Sequence, residues 1–299
     1  VNFSGLSTVG NGRLIDRQDG SLININGSSG ADIITVRDGL QNISLFTEVD
    51  FNGAFAPIQF QNKMRAVVNG MGNADTITLN NPQTATALLF TNINGGDGND
   101  TINAQVDHNG DVNGGAGDDS IVFSDGVTLQ GETATPVIGG TGTDTIDVSA
   151  FTTDTSASLT SDSSNGFTGM LPAAISGGPF TGIDNIVAGS AIDALTGLNT
   201  TASWQLDGTN TYTDTASIRS LSFTGYESLV GNAMADIFEI SGSRNVTLDG
   251  SLGNDIFRFV TDDAVVIGDV LGDDGMNVLD FSQFTSGTSV SVVLESSSS

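Results

Sequence analysis

Three stretches of the chain put glycine, aspartate and an apolar residue at identical intervals. They read Gly95-Gly96-Asp97-Gly98-Asn99-Asp100-Thr101-Ile102, Gly114-Gly115-Ala116-Gly117-Asp118-Asp119-Ser120-Ile121 and Gly139-Gly140-Thr141-Gly142-Thr143-Asp144-Thr145-Ile146. Each fits G-G-x-G-x-D-x-U-x, with U apolar. Glycine reaches left-handed backbone angles without penalty, so six such residues make a wide turn with carbonyls facing inward. The aspartate that ends the turn adds a carboxylate. The apolar residue two positions later starts a short strand and enters a core. Carbonyls plus one carboxylate form an oxygen half-site for a hard cation. Ca²⁺ suits it better than Mg²⁺, which keeps its waters.

Weaker copies extend the pattern. Gly27 to Ile34, ending its turn at Asp32, and Gly250 to Phe257, with Asp255, each lack only the second glycine. Gly70 to Ile77 has Asn73 at the fourth position before Asp75. Gly231 to Phe238 has Met234 there before Asp236, and methionine tolerates positive φ poorly. Gly272 to Leu279 puts Asn277 in the aspartate slot, and Gly189 to Asp193 is one residue short. Stacked carboxylates one strand spacing apart, roughly 5 Å, repel unless a cation lies between them.

The elements around these turns must be strands. Asp, Asn, Gly, Ser and Thr form helices poorly, whereas Val, Ile, Thr and Phe favour strands. The 299 residues include 39 glycines, and the 37% hydrophobic content supports a packed core. With 35 acidic against 8 basic side chains the formal charge is −27. That argues against a nucleic-acid partner, which needs a basic face. The absence of cysteine excludes disulfides and thiolate metal sites. One histidine, His108, leaves almost no room for Ser-His-Asp chemistry. It reads as a solvated turn residue. No apolar stretch approaches the roughly 20 residues of a membrane-spanning helix. Trp204 and Tyr212 flank Asp207-Gly208-Thr209-Asn210, a good hairpin turn, and so read as a cross-strand aromatic pair.

The glycine-aspartate motifs resemble the hemolysin-type calcium-binding repeat, the RTX nonapeptide. The resemblance implies an all-β fold: a right-handed parallel β-solenoid or β-roll with Ca²⁺ between successive turns. It implies ligands from the motif carboxylates and from carbonyls of the glycine-rich turns. Carried over, Asp100, Asp119 and Asp144 come first, then Asp32, Asp75, Asp236, Asp255 and Asn277. Asp97, Gly95, Gly98, Gly114, Gly117, Gly139 and Gly142 complete the candidate set. Family arrays run nonapeptide after nonapeptide. Here the steps are about 19–25 residues, which implies one motif per coil and one ladder of calcium turns.

A longer repeat is superposed. Asp147-Val148-Ser149-Ala150-Phe151-Thr152 matches Asp280-Phe281-Ser282-Gln283-Phe284-Thr285, and Leu89-Phe90-Thr91 aligns with Ser222-Phe223-Thr224 at the same offset of 133. Two tandem solenoid modules are expected, 1–165 and 166–299. The signature Phe-(Ser/Thr)-Gly-apolar at Phe3, Phe180 and Phe223 reads as one more recurring coil. Ser149 to Gly169 is expected to be strand rather than linker. Excursions are expected at Asn52 to Lys63 and at Gly166 to Gly182. The layout is similar, more loosely, to repeat regions of large bacterial surface proteins. The first residues do not read as a cleavable signal peptide, so a mature chain or a piece of something longer is expected.

The function these features imply is an extracellular, calcium-stabilised structural or adhesive protein of a surface layer, filament or adhesin. Its folding would be coupled to calcium, and its ends would pair into a homo-oligomer or filament, with surface glycans as further partners. A non-enzyme is expected. The alternatives are a polysaccharide lyase or epimerase on a β-helix, or an RTX secretion module. A cleft joining Arg or Lys to two carboxylates outside the motifs would favour the enzyme.

Overall fold

The structure is a computed structural model describing residues 14–16, 19–39, 46–81, 87–176 and 178–293. Among these residues every regular element is a strand. Two long, mainly parallel sheets of 15 and 12 strands hold most of them. The chain alternates between the two. In the second sheet Phe90–Asp97, Val112–Ala116 and Val137–Thr141 pair in parallel. In the first sheet Thr101–Ala104, Ser120–Phe123 and Thr145–Asp147 do the same. Each of these three passages from the second sheet to the first crosses a corner made by one glycine-aspartate motif.

Side-chain alternation explains the packing. Ile77, Ile102, Ile121 and Ile146 stand in register and are almost fully buried. Thr76, Thr101, Ser120 and Thr145 alternate with them on the outer face. Val68, Ile93, Val112 and Val137 face the isoleucines from the other sheet and join the same core. Further along, Trp204, Phe238 and Phe257 continue it as a stack with ring centroids 5.6 and 5.1 Å apart.

Parallel pairing is interrupted by antiparallel excursions. Thr47–Asp50 and Ile58–Phe60 form one, around the expected Asn52–Lys63 segment. Ser156–Ser163 and Gly166–Met170 form another, so the Ser/Thr-rich stretch is strand in this part. Ala202–Leu206, Thr211–Asp214 and Arg219–Thr224 form a third. Within it Trp204 pairs directly with Tyr212, their ring centroids 4.6 Å apart. The expected step of 19–25 residues therefore holds only between uninterrupted passes. Successive corner residues are 19, 22 or 25 positions apart there, and 40 or 43 where an excursion intervenes.

Three expectations need correcting. His108 is not a solvated turn residue. It lies on His108–Asn109 in a small third sheet, in register with Leu129 and Ile175, and is 4% exposed. Its Nε2 bonds the Thr91 carbonyl at 2.6 Å, and burial lowers its pKa to about 4, so the ring stays neutral. The 133-residue repeat holds only in part. Asp147 and Asp280 make the same turn, each accepting the N–H of the serine two residues on. Phe90 lies in the second sheet and Phe223 in the first, however, so that short match is not a structural one. Phe180 and Phe223 likewise precede opposite corners rather than equivalent ones; Phe3 lies outside the described residues. Apart from these corrections, residues 165 and 166, the expected meeting point of the two modules, lie at the tip of the Ser156–Met170 hairpin.

Candidate metal corner

The motif turn is tighter than six residues. Its first three positions finish a strand of the second sheet, as in Phe90–Asp97, and only Gly98-Asn99-Asp100 bend. Positive φ falls at the second position in every one of these corners from residue 70 on. Gly96, Gly115 and Gly140 hold it in the strong copies, with φ of 122–126°. Met71, Asn232, Ser251 and Asp273 hold it in the weaker ones. Met234 avoids it, which is how a methionine fits the fourth position.

The aspartates point inward and link the passes. Asp32 N–H donates to Asp75 Oδ1, Asp75 to Asp100, Asp100 to Asp119 and Asp119 to Asp144, all at 2.7–2.9 Å. Asp144 N–H then donates to Asp184 at 3.2 Å. Asp236 N–H donates to Asp255 and Asp255 N–H to Asn277, both at 2.9 Å. One oxygen of each carboxylate is thus used as a backbone cap between neighbouring passes.

The other oxygen has no donor. Oδ2 of Asp75, Asp100, Asp119, Asp144, Asp236 and Asp255 is buried without a hydrogen-bond partner, and these residues are at most 2% exposed. Each Oδ2 occupies the space where the first motif glycine would carry a Cβ. At Gly95 that space is bounded by Asp100 Oδ2 and the Gly114 carbonyl, and at Gly114 by Asp119 Oδ2 and the Gly139 carbonyl. A carboxylate oxygen and a carbonyl oxygen therefore converge with nothing between them to donate. The cost of an unmet buried charge makes this arrangement unstable unless a proton or a cation is shared. The donor set is all oxygen, the kind a hard cation such as Ca²⁺ takes, with backbone carbonyls supplying what carboxylates do not, since among the described residues no group of three or more His, Cys, Asp or Glu could hold a metal.

Asn277 supplies the contrast. Its Oδ1 takes the Asp255 N–H, while its Nδ2 donates to the Gly272 carbonyl at 2.6 Å. An amide satisfies at this corner what a carboxylate leaves open. Asn277 therefore departs from the expected ligand set. Asp32 departs as well, since its Oδ2 takes the Ser28 N–H at 2.6 Å. Asp97 is exposed on the outer side. The Gly98 and Gly117 carbonyls do not meet the carboxylates in the same way, since they lie against the α-carbons of Gly117 and Gly142. Gly139 faces Asp144 Oδ2 and the Gly182 carbonyl.

Electrostatics follow from burial. Desolvation raises Asp75 and Asp144 to about 6, Asp119 to about 7 and Asp236 to about 8, with neighbouring carboxylates adding to the rise. Asp100 and Asp255 are raised for the same reason.

No family model matches the chain, and no curated protein does.

Two acidic residues at corners escape the sequence pattern. Asp184 ends Phe180-Thr181-Gly182-Ile183-Asp184, with a single glycine in place of the motif's three, yet it accepts the Asp144 N–H. Glu227 ends Phe223-Thr224-Gly225-Tyr226-Glu227 at the opposite corner, where it accepts the Asp193 N–H at 3.1 Å. The shared Phe-Thr-Gly signature was the available signal. Asp193, from the short copy, sits at that opposite corner and caps Thr155.

A cavity of about 190 Å³ lies beside Leu206, Tyr226 and Arg244, and no carboxylate lines it. Arg37, Arg65, Arg219 and Arg258 pair with carboxylates of neighbouring strands. Among the described residues no helix is long and apolar enough to cross a membrane.

Proposed function

We propose that the chain is an RTX-like, calcium-stabilised structural or adhesive protein that works outside the cell, in a surface layer, filament or adhesin. In this reading the two sheets are walls of a right-handed β-solenoid, and calcium lies along the motif corner. The observation that carries it is the row of six buried Oδ2 atoms without a donor, five of them, all but that of Asp255, beside a glycine carbonyl. When bound, the ion would supply the positive charge these oxygens lack, held by the motif carboxylates and the first-glycine carbonyls. Everything else in the corner is the chain's own work. Glycine backbones admit the inward carboxylate, and Oδ1 locks each pass to the one before.

Binding only to the folded state stabilises it by RT ln(1 + [L]/Kd). Extracellular modules bind Ca²⁺ at roughly 0.1–1 mM. Such sites stay empty in cytosol and fill outside, so folding would await export. Far-ultraviolet circular dichroism in calcium and in chelator tests the reading: strand signal in calcium and its loss in chelator are expected, and equal signal in both would sink it.

Self-association through one end is part of this reading. Val270–Leu271 and Val278–Asp280 are the last strands of the two sheets, so each leaves an edge unpaired among the described residues. Leu279 is in register with the buried Phe257 but is 40% exposed. A second copy covering this end would bury it. Sedimentation of the calcium-loaded chain checks this, and a strict monomer at high concentration refutes it.

A further inference from the structure

The carboxylate row is broken into two. From Asp32 the N–H-to-carboxylate bonds run through Asp75, Asp100, Asp119 and Asp144 to Asp184, and stop. They stop because the Asp184 N–H turns back to the Asp144 carbonyl at 2.9 Å. A second row begins at Ala202, whose N–H donates to Asp236 at 2.9 Å, and continues through Asp255 to Asn277. Between the rows the first sheet inserts Arg219–Thr224 and Thr211–Asp214. Asn185–Val187 and Ala202–Leu206 are therefore three strand spacings apart, about 14 Å. That is three times the spacing between neighbouring passes within a row.

The ends of the rows differ chemically from their interiors. At Asp32 the Ser28 N–H meets the second oxygen. At Asp184 the Arg219 guanidinium stands 3.9 Å from Oδ1, a cation the chain provides itself. At Asn277 the side-chain amide meets the glycine carbonyl. None of these three has the orphaned oxygen. Along these rows the orphans divide four and two: Asp75, Asp100, Asp119 and Asp144 in one, Asp236 and Asp255 in the other, while Asp193 Oδ2 is a further orphan at the opposite corner.

We infer that the corner carries two separate runs of calcium sites, one along Asp75–Asp144 and one along Asp236–Asp255, each closed by residues that need no ion. The inference rests on the calcium reading of the corner and adds that the runs fill independently. Within a run, neighbouring corners are joined by the N–H-to-carboxylate bonds, so their sites fill together. Among the described residues no such bond crosses the inserted strands.

The chain contains the probe for this. Trp204 is its single tryptophan, two residues after Ala202 on the strand that pairs with Ile237–Ile240 of the second run. Both tyrosines, Tyr212 and Tyr226, lie in the same part of the sequence. Terbium(III), which takes calcium's oxygen ligands, emits when an excited aromatic ring is close, so its sensitised emission reports the second run. Calorimetric titration with calcium reports both. Asp100→Asn and Asp255→Asn each keep the Oδ1 acceptor, as Asn277 demonstrates, so both variants retain the inter-pass bond.

Two calcium phases are expected in the unsubstituted chain. Asp255→Asn should weaken terbium emission by about tenfold in midpoint and leave the larger calcium phase in place. Asp100→Asn should weaken that larger phase and move the terbium midpoint by less than about twofold. A single phase shifted alike by both substitutions overturns the two-run inference while leaving calcium binding intact. Failure of the unsubstituted chain to bind either ion overturns the calcium reading itself.

Discussion

In chelator, the protein should gain stability as pH falls from about 8 to about 4, the reverse of ordinary acid denaturation. The cause is the set of inward carboxylates. Burial raises Asp75, Asp119, Asp144 and Asp236 to about 6, 7, 6 and 8 in the folded chain, against 3.8 for an unperturbed aspartate. Between those limits the folded chain binds more protons than the unfolded chain, so acidification favours folding. Their stabilising contribution is complete below about 3.8 and is lost as pH rises through 6 to 8. A protonated Oδ2 can donate to the glycine carbonyl of the next pass, while the Asn277 amide donates to that of Gly272 in its own corner.

His108 acts in the opposite sense. Its folded pKa is lowered to about 4 from 6.5, so its contribution is lost as pH falls through that interval. A tenfold change in proton affinity is about 1.4 kcal/mol. Four raised carboxylates therefore outweigh one lowered imidazole. With calcium present the sign reverses, because protons compete with the ion for the same oxygens. Strand signal in chelator at pH 5 and pH 8, together with thermal melts in calcium at both, checks both halves. A calcium-free chain with more strand signal at pH 8 than at pH 5 would refute the account.

The second large effect is steric. Gly140→Ala should cost about 3 kcal/mol or more. Gly140 has φ of +126°, and a Cβ there would overlap the Gly115 carbonyl oxygen. That carbonyl belongs to backbone held in parallel register with Gly96 on one side and Gly140 on the other, so it cannot retreat. Gly72→Ala is the control. It lies in the same kind of corner, but its φ is not in the left-handed region and the nearest atom, the Asp97 carbonyl oxygen, is 3.9 Å away. Its effect should stay within about 0.5 kcal/mol. Comparing both melting midpoints in calcium separates backbone collision from a general intolerance of alanine.

The corner was legible in the sequence because its constraint is local. A glycine that must lie against an inward carboxylate, and an aspartate six positions into the turn, can be read from spacing alone. So could the aromatic pair of Trp204 and Tyr212, fixed by a short turn. What escaped depends on neighbouring passes. His108 is buried because Leu129 and Ile175 stack in its register, and neither is near it in sequence. Asp184 joins the ladder through the Asp144 N–H, although its own segment has lost most of the motif's glycines. Asn277 and Asp32 carry the right residue types, but one extra donor each removes the need for an ion. Short matches such as Phe90 and Phe223 misled because three residues do not encode which sheet a strand enters.

The bonds between successive motif aspartates all run the same way, from each pass to the one that follows it in the chain. One position earlier the bonds run back: Asp118 N–H donates to Asn99 Oδ1 and Thr143 N–H to Asp118 Oδ1. A cut between two such passes would therefore leave an aspartate N–H beside an acceptor on the earlier piece, and an aspartate carboxylate beside a free N–H on the later one. The corner has a polarity written in the order of donors and acceptors, and a severed protein rejoined in its original sense would restore both bonds at once.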